Sequence, residues 1–553
     1  MLQPARRFSR TLHSRRFAAA AAALAAALLL AGCSESGSSD AASGPRTTLE
    51  YASMKDIRDI NPHLYLGEMA AQAMVFEPLV ANTPEGVKPL LAERWDISPD
   101  GRTYTFHLRK DVRYSDGEPF TAASVKANID AILENRVRHA WIELVNQIES
   151  NEAVDEHTWR LVLKQPYFPT LIELGVTRPF RFISPKCMKD GHTKDGVTCL
   201  AGTGPWRLAE HKRNQYAVFE ANSGYWGERP KLERVRWRVM PDPQTMLMAL
   251  EKGEIDLVFG ADGDQLTTDA ISKLQEEKRL AVELSSPIAS RAVLLNTARP
   301  VTGDPAVREA IQRAINRDAI VKGILNNIEI PADTLFAKNV PYCGVDLPSR
   351  PYDPTAASKL LDEAGWTLGS NGVRVKNGVR CEAVFSFNSQ NAQERTIAEA
   401  IQADLARIGI AVALQGEEKQ TFLDRQRSGN FDLQYALSWG APYDPQSYFS
   451  SWRTPAHGDF QAQSGLSEKA RIDEEIGRFL VEPDEAKRQA LAADILQTVH
   501  RAAVYFPLSY SRTKAVHSMA LQNVGFAVSQ YEIPFEAMQF SSPNAPAGNA
   551  AGR

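Results

Sequence analysis

The first 33 residues decide where this chain folds, and so what kind of body the rest can form. Residues 1–16 carry Arg6, Arg7, Arg10, Arg15 and Arg16 and no acid, and Phe17 to Leu30 is an apolar run of mostly Ala and Leu. A helix needs about 20 apolar residues to span a bilayer. This run is shorter and reads as the core of an export signal. It ends in Leu30-Ala31-Gly32-Cys33, small residues before a Cys, which is the pattern of a bacterial lipoprotein cleavage site. Residues 1–32 are therefore expected to be removed and Cys33 to carry lipid. Residues 33–45, rich in Ser, Gly, Asp and Ala, are expected to form a flexible tether.

The remainder must be a soluble body folded outside the cytoplasm. Hydrophobic residues make up 43% of the chain and charged residues 24%, the balance of a globular protein with a sizeable core. At 553 residues the chain is long enough for two or three domains. Loss of the leader takes away five Arg and no acid, which moves the formal charge from −4 to −9. An acidic body argues against nucleic acid as a partner. Four Cys remain: Cys187, Cys199, Cys343 and Cys381. An even number in an exported chain permits disulfides. Nearest neighbours along the chain, Cys187–Cys199 and Cys343–Cys381, are the expected pairs, with free buried thiols as the alternative.

The patterning alternates strands and helices without a repeat. Pro99-Asp100-Gly101 is a turn, followed by the alternation of Thr103 to Leu108. Thr121 to Asn135 reads as a helix capped by Thr121. His157 to Leu163 reads as a strand. Strands are also expected within 206–220 and 233–240 and over 256–259, with a helix over 244–252. A second α/β run starts near residue 288. It has a strand over 292–296, a helix from Asp304 with Pro305 at its first position, and helices over 353–364, 395–408, 467–481 and 483–503. Gly365 and Gly409 stand where helix ends favour positive φ. Extended segments near 284–290 and 505–511 bracket this second run, as a double hinge between two lobes would. Residues 541–553 read as a loose tail.

Local catalytic and metal motifs are absent. There is no G-x-S-x-G, H-E-x-x-H, C-x-x-C, G-x-G-x-x-G or P-loop Gly-Lys pair. Of ten His, the nearest two along the chain are His500 and His517, so no local pair has metal-ligand spacing. An enzyme is not expected, and no catalytic cofactor or catalytic residue is assigned.

Several stretches nevertheless resemble a known family. Residues 76–79 (FEPL), 92–95 (AERW) and 99–120 (PDGRTYTFHLRKDVRYSDGEPF) are similar to the family-5 solute-binding proteins of ABC importers. The resemblance runs from about 47 to 540. It is strongest to nickel-binding members at 61–65 (NPHLY), 138–148 (RHAWIELVNQI), 178–183 (RPFRFI), 202–206 (GTGPW), 225–230 (YWGERP), 439–445 (WGAPYDP) and Thr454 to Gln463. The resemblance implies an α/β, two-lobed periplasmic-binding-protein fold of type II, cluster C, with a double-strand hinge. The implied first lobe is 46–287 with 511–540, and the second is 288–510.

The implied ligand is Ni(II) held by a small carboxylate- or histidine-type chelator. The implied partners are an ABC permease and its cytoplasmic ATPase, with a monomeric receptor anchored by lipid in the periplasm or cell envelope. By position His457 would bind the metal, since neutral imidazole suits Ni(II). Arg178 would grip a chelator carboxylate with its planar fork, and Arg138 would assist. Trp141, Trp439, Tyr443, Tyr65 and Met69 match lining positions. At Tyr531 the chain departs from the nickel-binding members, which carry a small hydroxyl residue there, and one residue is deleted between Tyr65 and Gln72. His63 and His139 are read as structural. A dipeptide or oligopeptide receptor of the same family is the alternative, and it would need an acid for the peptide amine.

Overall fold

The computed structural model describes residues 46–261 and 266–541. The expected leader, Cys33, the tether and nearly all of the tail lie outside the described residues. Among the described residues no helix is long and apolar enough to cross a membrane.

Two mixed sheets organise the body. The first runs in the order Trp206–Lys212, Tyr216–Ala221, Arg234–Val239, Thr48–Ser53, Leu257–Gly260, Lys514–His517, Ala281–Leu284. Thr48–Ser53 pairs parallel with both its neighbours, Arg234–Val239 and Leu257–Gly260. The second runs Ile330–Pro331, Tyr505–Ser511, Ala289–Leu295, Leu433–Leu437, Glu382–Asn388, Ala411–Glu417. Strands buried on both faces need near-continuous apolar runs, and Ala289–Leu295 is buried at all its positions.

The chain passes between the sheets twice. It leaves the first after Leu284, enters the second at Ala289, returns through Tyr505–Ser511 and rejoins the first at Lys514. The two crossings are hydrogen-bonded to each other: the Ser285 N–H donates to the Thr513 carbonyl and the Ile288 N–H to the Ser511 carbonyl, both at 2.9 Å. Ala289 then faces Ser511 in register. This is the expected double-strand link.

A third, antiparallel sheet orders Ala92–Ile97, Thr103–Leu108, Thr158–Leu163 and Ile148–Ala153. Its alternation buries Tyr104, Phe106, Leu108, Trp159, Leu161 and Leu163. The helix Ala122–Glu134 starts at a reciprocal cap in which the Thr121 hydroxyl accepts from the Ser124 N–H and the Ser124 hydroxyl from the Thr121 N–H. The largest core joins this region to Phe449, Trp452, Phe479 and Tyr505 of the second run. The helix Pro305–Ala314 opens on Asp304 as expected. The helix expected over 395–408 begins earlier, as Ala392–Ala406, because Asn391 caps the Gln393 and Glu394 N–H groups.

Gly202 and Gly204 explain one of the motif stretches. A Cβ at Gly202 would stand 1.9 Å from the Val75 carbonyl oxygen, and one at Gly204 2.5 Å from that of Met74. Only glycine lets this turn lie against the helix Met69–Val75.

Cys187 and Cys199 form the expected disulfide, closing the hairpin of Met188–Lys189 and His192–Val197. The second expected pair is not made: Cys343 and Cys381 are free and buried. They belong to separate cores, Cys343 to the one that holds Phe336 and Phe449 and Cys381 to the one that holds Trp366 and Phe385. Proximity along the chain did not become proximity in space. Burial pushes the Cys381 thiol up to about 12 and the Cys343 thiol up as well, so both stay protonated and inert.

Candidate functional site

Tyr65 ends a loop that is fixed from below. Asn61 and His63 are fully or almost fully buried. The Asn61 side chain donates to the Thr193 carbonyl (2.9 Å), and His63 bridges the Thr193 hydroxyl (2.9 Å) and the Arg181 carbonyl (3.0 Å). A carbonyl can only accept, so His63 carries its proton on Nε2 and accepts on Nδ1. Burial holds it neutral, with a pKa down at about 3. His63 is structural, and it ties the Tyr65 loop to the disulfide-closed hairpin.

Eight predicted residues meet around one cavity of about 360 Å³. Tyr65, Met69, Arg138, Trp141 and Arg178 come from the first half of the chain, and Trp439, Tyr443 and Tyr531 from the second. Met69 opens the helix Met69–Val75, while Arg138 and Trp141 flank the end of the short helix Arg136–His139. Trp439 and Tyr443 stand on the loop after Leu433–Leu437. Asp444 shapes that loop by accepting from the Ser438 hydroxyl (2.5 Å) and the Gly440 N–H (3.0 Å). Burial pushes the Asp444 carboxyl up to about 7. The Gln530 side chain donates to the Trp439 carbonyl (3.0 Å), which fixes the Tyr531 segment against the same loop.

The walls are aromatic. Trp141 meets Trp439 edge-on with ring centroids 5.6 Å apart, Tyr443 stands 6.2 Å from Trp141, and Tyr531 6.2 Å from Tyr443. Such contacts leave flat apolar surfaces without flexible chains.

Two cations sit among them. The Arg138 and Arg178 guanidinium carbons each stand 4.9 Å from the Tyr65 ring centroid. Among the described residues Arg178 Nη1 donates only to the Gly67 and Leu64 carbonyls, at 3.2 and 3.5 Å. Burial lowers the Arg178 pKa, yet an arginine keeps its charge at any physiological pH. Among the described residues neither arginine makes an ion pair, and no Asp or Glu lines the cavity. Arg178 is partly buried and Arg138 exposed, and two guanidinium groups without an ion pair at one cavity favour an anion.

His457 stands one layer back. It occupies the residue before the helix Gly458–Gln463, and its ring is 5.8 Å from that of Trp439. It is not among the residues lining the cavity. Burial lowers its pKa, which favours the neutral imidazole a metal requires. Among the described residues no three His, Cys, Asp or Glu come together as a metal-ligand group.

A second cavity of about 230 Å³ holds Glu77, Arg181 and Glu532. Glu77 accepts from the Tyr225 hydroxyl (2.8 Å) and the Trp226 indole (2.9 Å), and Arg181 pairs with Glu532 and donates to the Phe76 carbonyl (2.7 Å). Burial pushes the Glu77 carboxyl up to about 7, and the Arg181 charge has Glu532 as its acidic partner.

Residues 86–460 match the bacterial extracellular solute-binding proteins, family 5 Middle. The chain belongs to this family. Among family-5 relatives, the nickel-binding periplasmic protein of Escherichia coli (strain K12) is 44% identical over 491 residues, which cover 88% of this chain and 94% of the relative. The crystal structure of NikA from Brucella suis in complex with Fe(III)-EDTA is 46% identical and superposes with a TM-score of 0.88, covering 89% of this chain and all of that one. The glutathione-binding protein GsiB of Pectobacterium atrosepticum is 28% identical over 446 residues, covering 79% of this chain and 83% of the relative. The fold is thus the type II binding-protein fold of family 5.

Sequence reasoning missed one contributor. The Trp141 indole N–H donates to the Tyr65 hydroxyl oxygen at 2.5 Å, and that hydroxyl lies 2.6 Å from His139 Nδ1. His139 stands between Arg138 and Trp141 in the chain. Its neighbours in the motif were the only signal that could have marked it.

Proposed function

We propose that this chain is the extracytoplasmic nickel receptor of an ABC importer. It takes Ni(II) as a complex with a small carboxylate- or histidine-type chelator and delivers it to a permease driven by a cytoplasmic ATPase. One observation carries the reading: among the described residues, two arginines without ion-pair partners stand over one tyrosine ring in an aromatic cavity that no carboxylate lines. That chemistry suits a planar, anionic metal complex. It gives a peptide's amine no acidic partner, which counts against the peptide-receptor reading.

In this reading Arg178 and Arg138 hold chelator carboxylates, His457 adds one imidazole to the metal, and the aromatic rings exclude water. Residues 46–287 with 511–540 form one lobe and 288–510 the other, and the paired crossings near 285–288 and 512–513 act as the hinge. A ligand bridging Arg178 and Trp141 with Trp439 and Tyr443 stabilises the closed form by its contacts to both lobes. The receptor is monomeric and held in the periplasm or cell envelope by lipid on Cys33. Metabolic labelling with radioactive palmitate is expected to mark the wild type and not Cys33→Ser; equal labelling of both excludes the anchor.

Calorimetry tests the ligand class. Bare Ni(II) is expected to bind weakly, and Ni(II) with free histidine at least about tenfold more tightly, a difference of about 1.4 kcal/mol. Equal affinity for the two removes chelate recognition. Tight binding of metal-free dipeptides selects the peptide receptor instead.

A further inference from the structure

We propose that His139 is a positioning residue for ligand recognition: it fixes the direction of the hydrogen-bond chain through the Tyr65 hydroxyl, and with it the ring beneath Arg138 and Arg178. The proposal rests on the reading of this cavity as an anionic-chelate site. An indole nitrogen can only donate, so Trp141 Nε1 gives its proton to Tyr65 Oη at 2.5 Å. The Tyr65 proton then goes to His139 Nδ1 at 2.6 Å. That leaves His139 neutral, with its own proton on Nε2. Burial, with the Arg138 charge adding, holds its pKa down at about 4, in keeping with this tautomer.

The imidazole is not explained by packing. His139 is fully buried, and its Nε2 has no partner among the described residues. A stranded buried donor is costly, and a leucine or phenylalanine would avoid it. What an apolar residue cannot supply is the acceptor at Nδ1. Without it the Tyr65 hydroxyl would be free to turn and its ring to tilt. The stretch Arg138–Trp141 therefore grips Tyr65 at three points: a guanidinium on the ring, an imidazole accepting from the hydroxyl and an indole donating to it. Besides Tyr65, Arg138 and His63 act electrostatically on His139, and His63 is itself neutral.

The test compares wild type, His139→Leu, His139→Gln, Tyr65→Phe and the His139→Leu/Tyr65→Phe double variant, with Ni(II) plus free histidine as the probe. His139→Leu is expected to weaken binding by about tenfold, the value of one hydrogen bond, and Tyr65→Phe, which also removes the acceptor of Trp141, by at least as much. The double variant is expected to be no weaker than Tyr65→Phe alone, because that substitution already removes the bond to His139. Glutamine offers a carbonyl acceptor and is expected to restore binding to within about threefold. A ligand-free readout accompanies this: in protein labelled with ¹⁵N-tryptophan, the Trp141 indole resonance is expected to shift in His139→Leu and to stay near its wild-type position in His139→Gln. Additive losses, a glutamine variant as weak as the leucine one, or an unmoved Trp141 resonance in His139→Leu overturns the proposal. If the wild type binds no nickel chelate, the functional reading fails, and the Trp141 resonance still decides the role of His139.

Discussion

Arg178→Ala is expected to weaken binding of the nickel chelate by about 2–5 kcal/mol, whichever metal the chelate carries. Among the described residues the Arg178 guanidinium uses only Nη1, on two peptide carbonyls, and stands over the Tyr65 ring without an acidic partner. The rest of its fork is available for a carboxylate. A charge-assisted bond to a half-buried carboxylate is worth more than a neutral one, and truncation also strands the ligand's charge. His457→Ala acts on a different part of the ligand. Loss of one imidazole is expected to change the Ni(II) absorption spectrum and the preference between nickel and cobalt more than the affinity, because chelator or water fills the vacancy. The two effects are expected to add. Titration of the wild type, both single variants and the double variant with nickel and cobalt chelates decides it. If Arg178→Ala binds like wild type, the carboxylate grip is wrong. An unchanged nickel spectrum in His457→Ala removes that residue from the metal.

Local chemistry is legible where a residue acts on its immediate neighbours. Thr121 caps the helix after it, and Asp304 with Pro305 opens another, because capping needs only residues two or three apart. Asn391 with Glu394 carries the same signal for the helix Ala392–Ala406, and apolar spacing alone places that start too late. The cavity is different. Tyr65 and Tyr531 lie at opposite ends of the chain, so no spacing rule could bring them together. Resemblance to relatives names them, and the structure groups them around one space.

The illegible parts share a cause: partners distant in sequence. Cys343 and Cys381 have separate cores between them. His139 reads as structural, and its burial agrees, but its partner Tyr65, 74 residues away, is not legible from spacing. The strand expected from Ala292 in fact starts at Ala289. Ser290 and Arg291 break the apolar pattern, yet the Glu329 carboxylate pairs with the Arg291 guanidinium and the Ser438 hydroxyl accepts from the Ser290 N–H.

Arg291→Met is expected to cost about 3–5 kcal/mol of stability at pH 7, since it removes one partner of a buried ion pair. Arg291 is 0% exposed, and its guanidinium holds Glu329 through two bonds of 2.7 and 3.0 Å. Ser509 donates to the same carboxylate at 2.5 Å, and the Lys514 ammonium lies 3.8 Å from it. Arg291 and Ser509 belong to the second sheet and Lys514 to the first, so one carboxylate joins both sheets beside the paired crossings. Burial by itself pushes Glu329 up. The charge of Arg291 and its hydrogen bonds, then Lys514 and Ser509, outweigh that and hold it at about 2. A carboxyl depressed in the fold stabilises above its ordinary pKa of about 4.3 and loses that contribution as pH falls toward about 2. The gap between wild type and Arg291→Met is therefore expected to be widest at pH 7 and narrower at pH 3. Arg291→Met/Glu329→Leu is expected to recover part of the loss, because the Glu329 carboxylate is then no longer left buried without its arginine, although the buried Lys514 loses that carboxylate as well. Urea unfolding at both pH values measures this. A cost below about 1 kcal/mol at pH 7, the size of an ordinary substitution, means that the pair does not hold the crossing together.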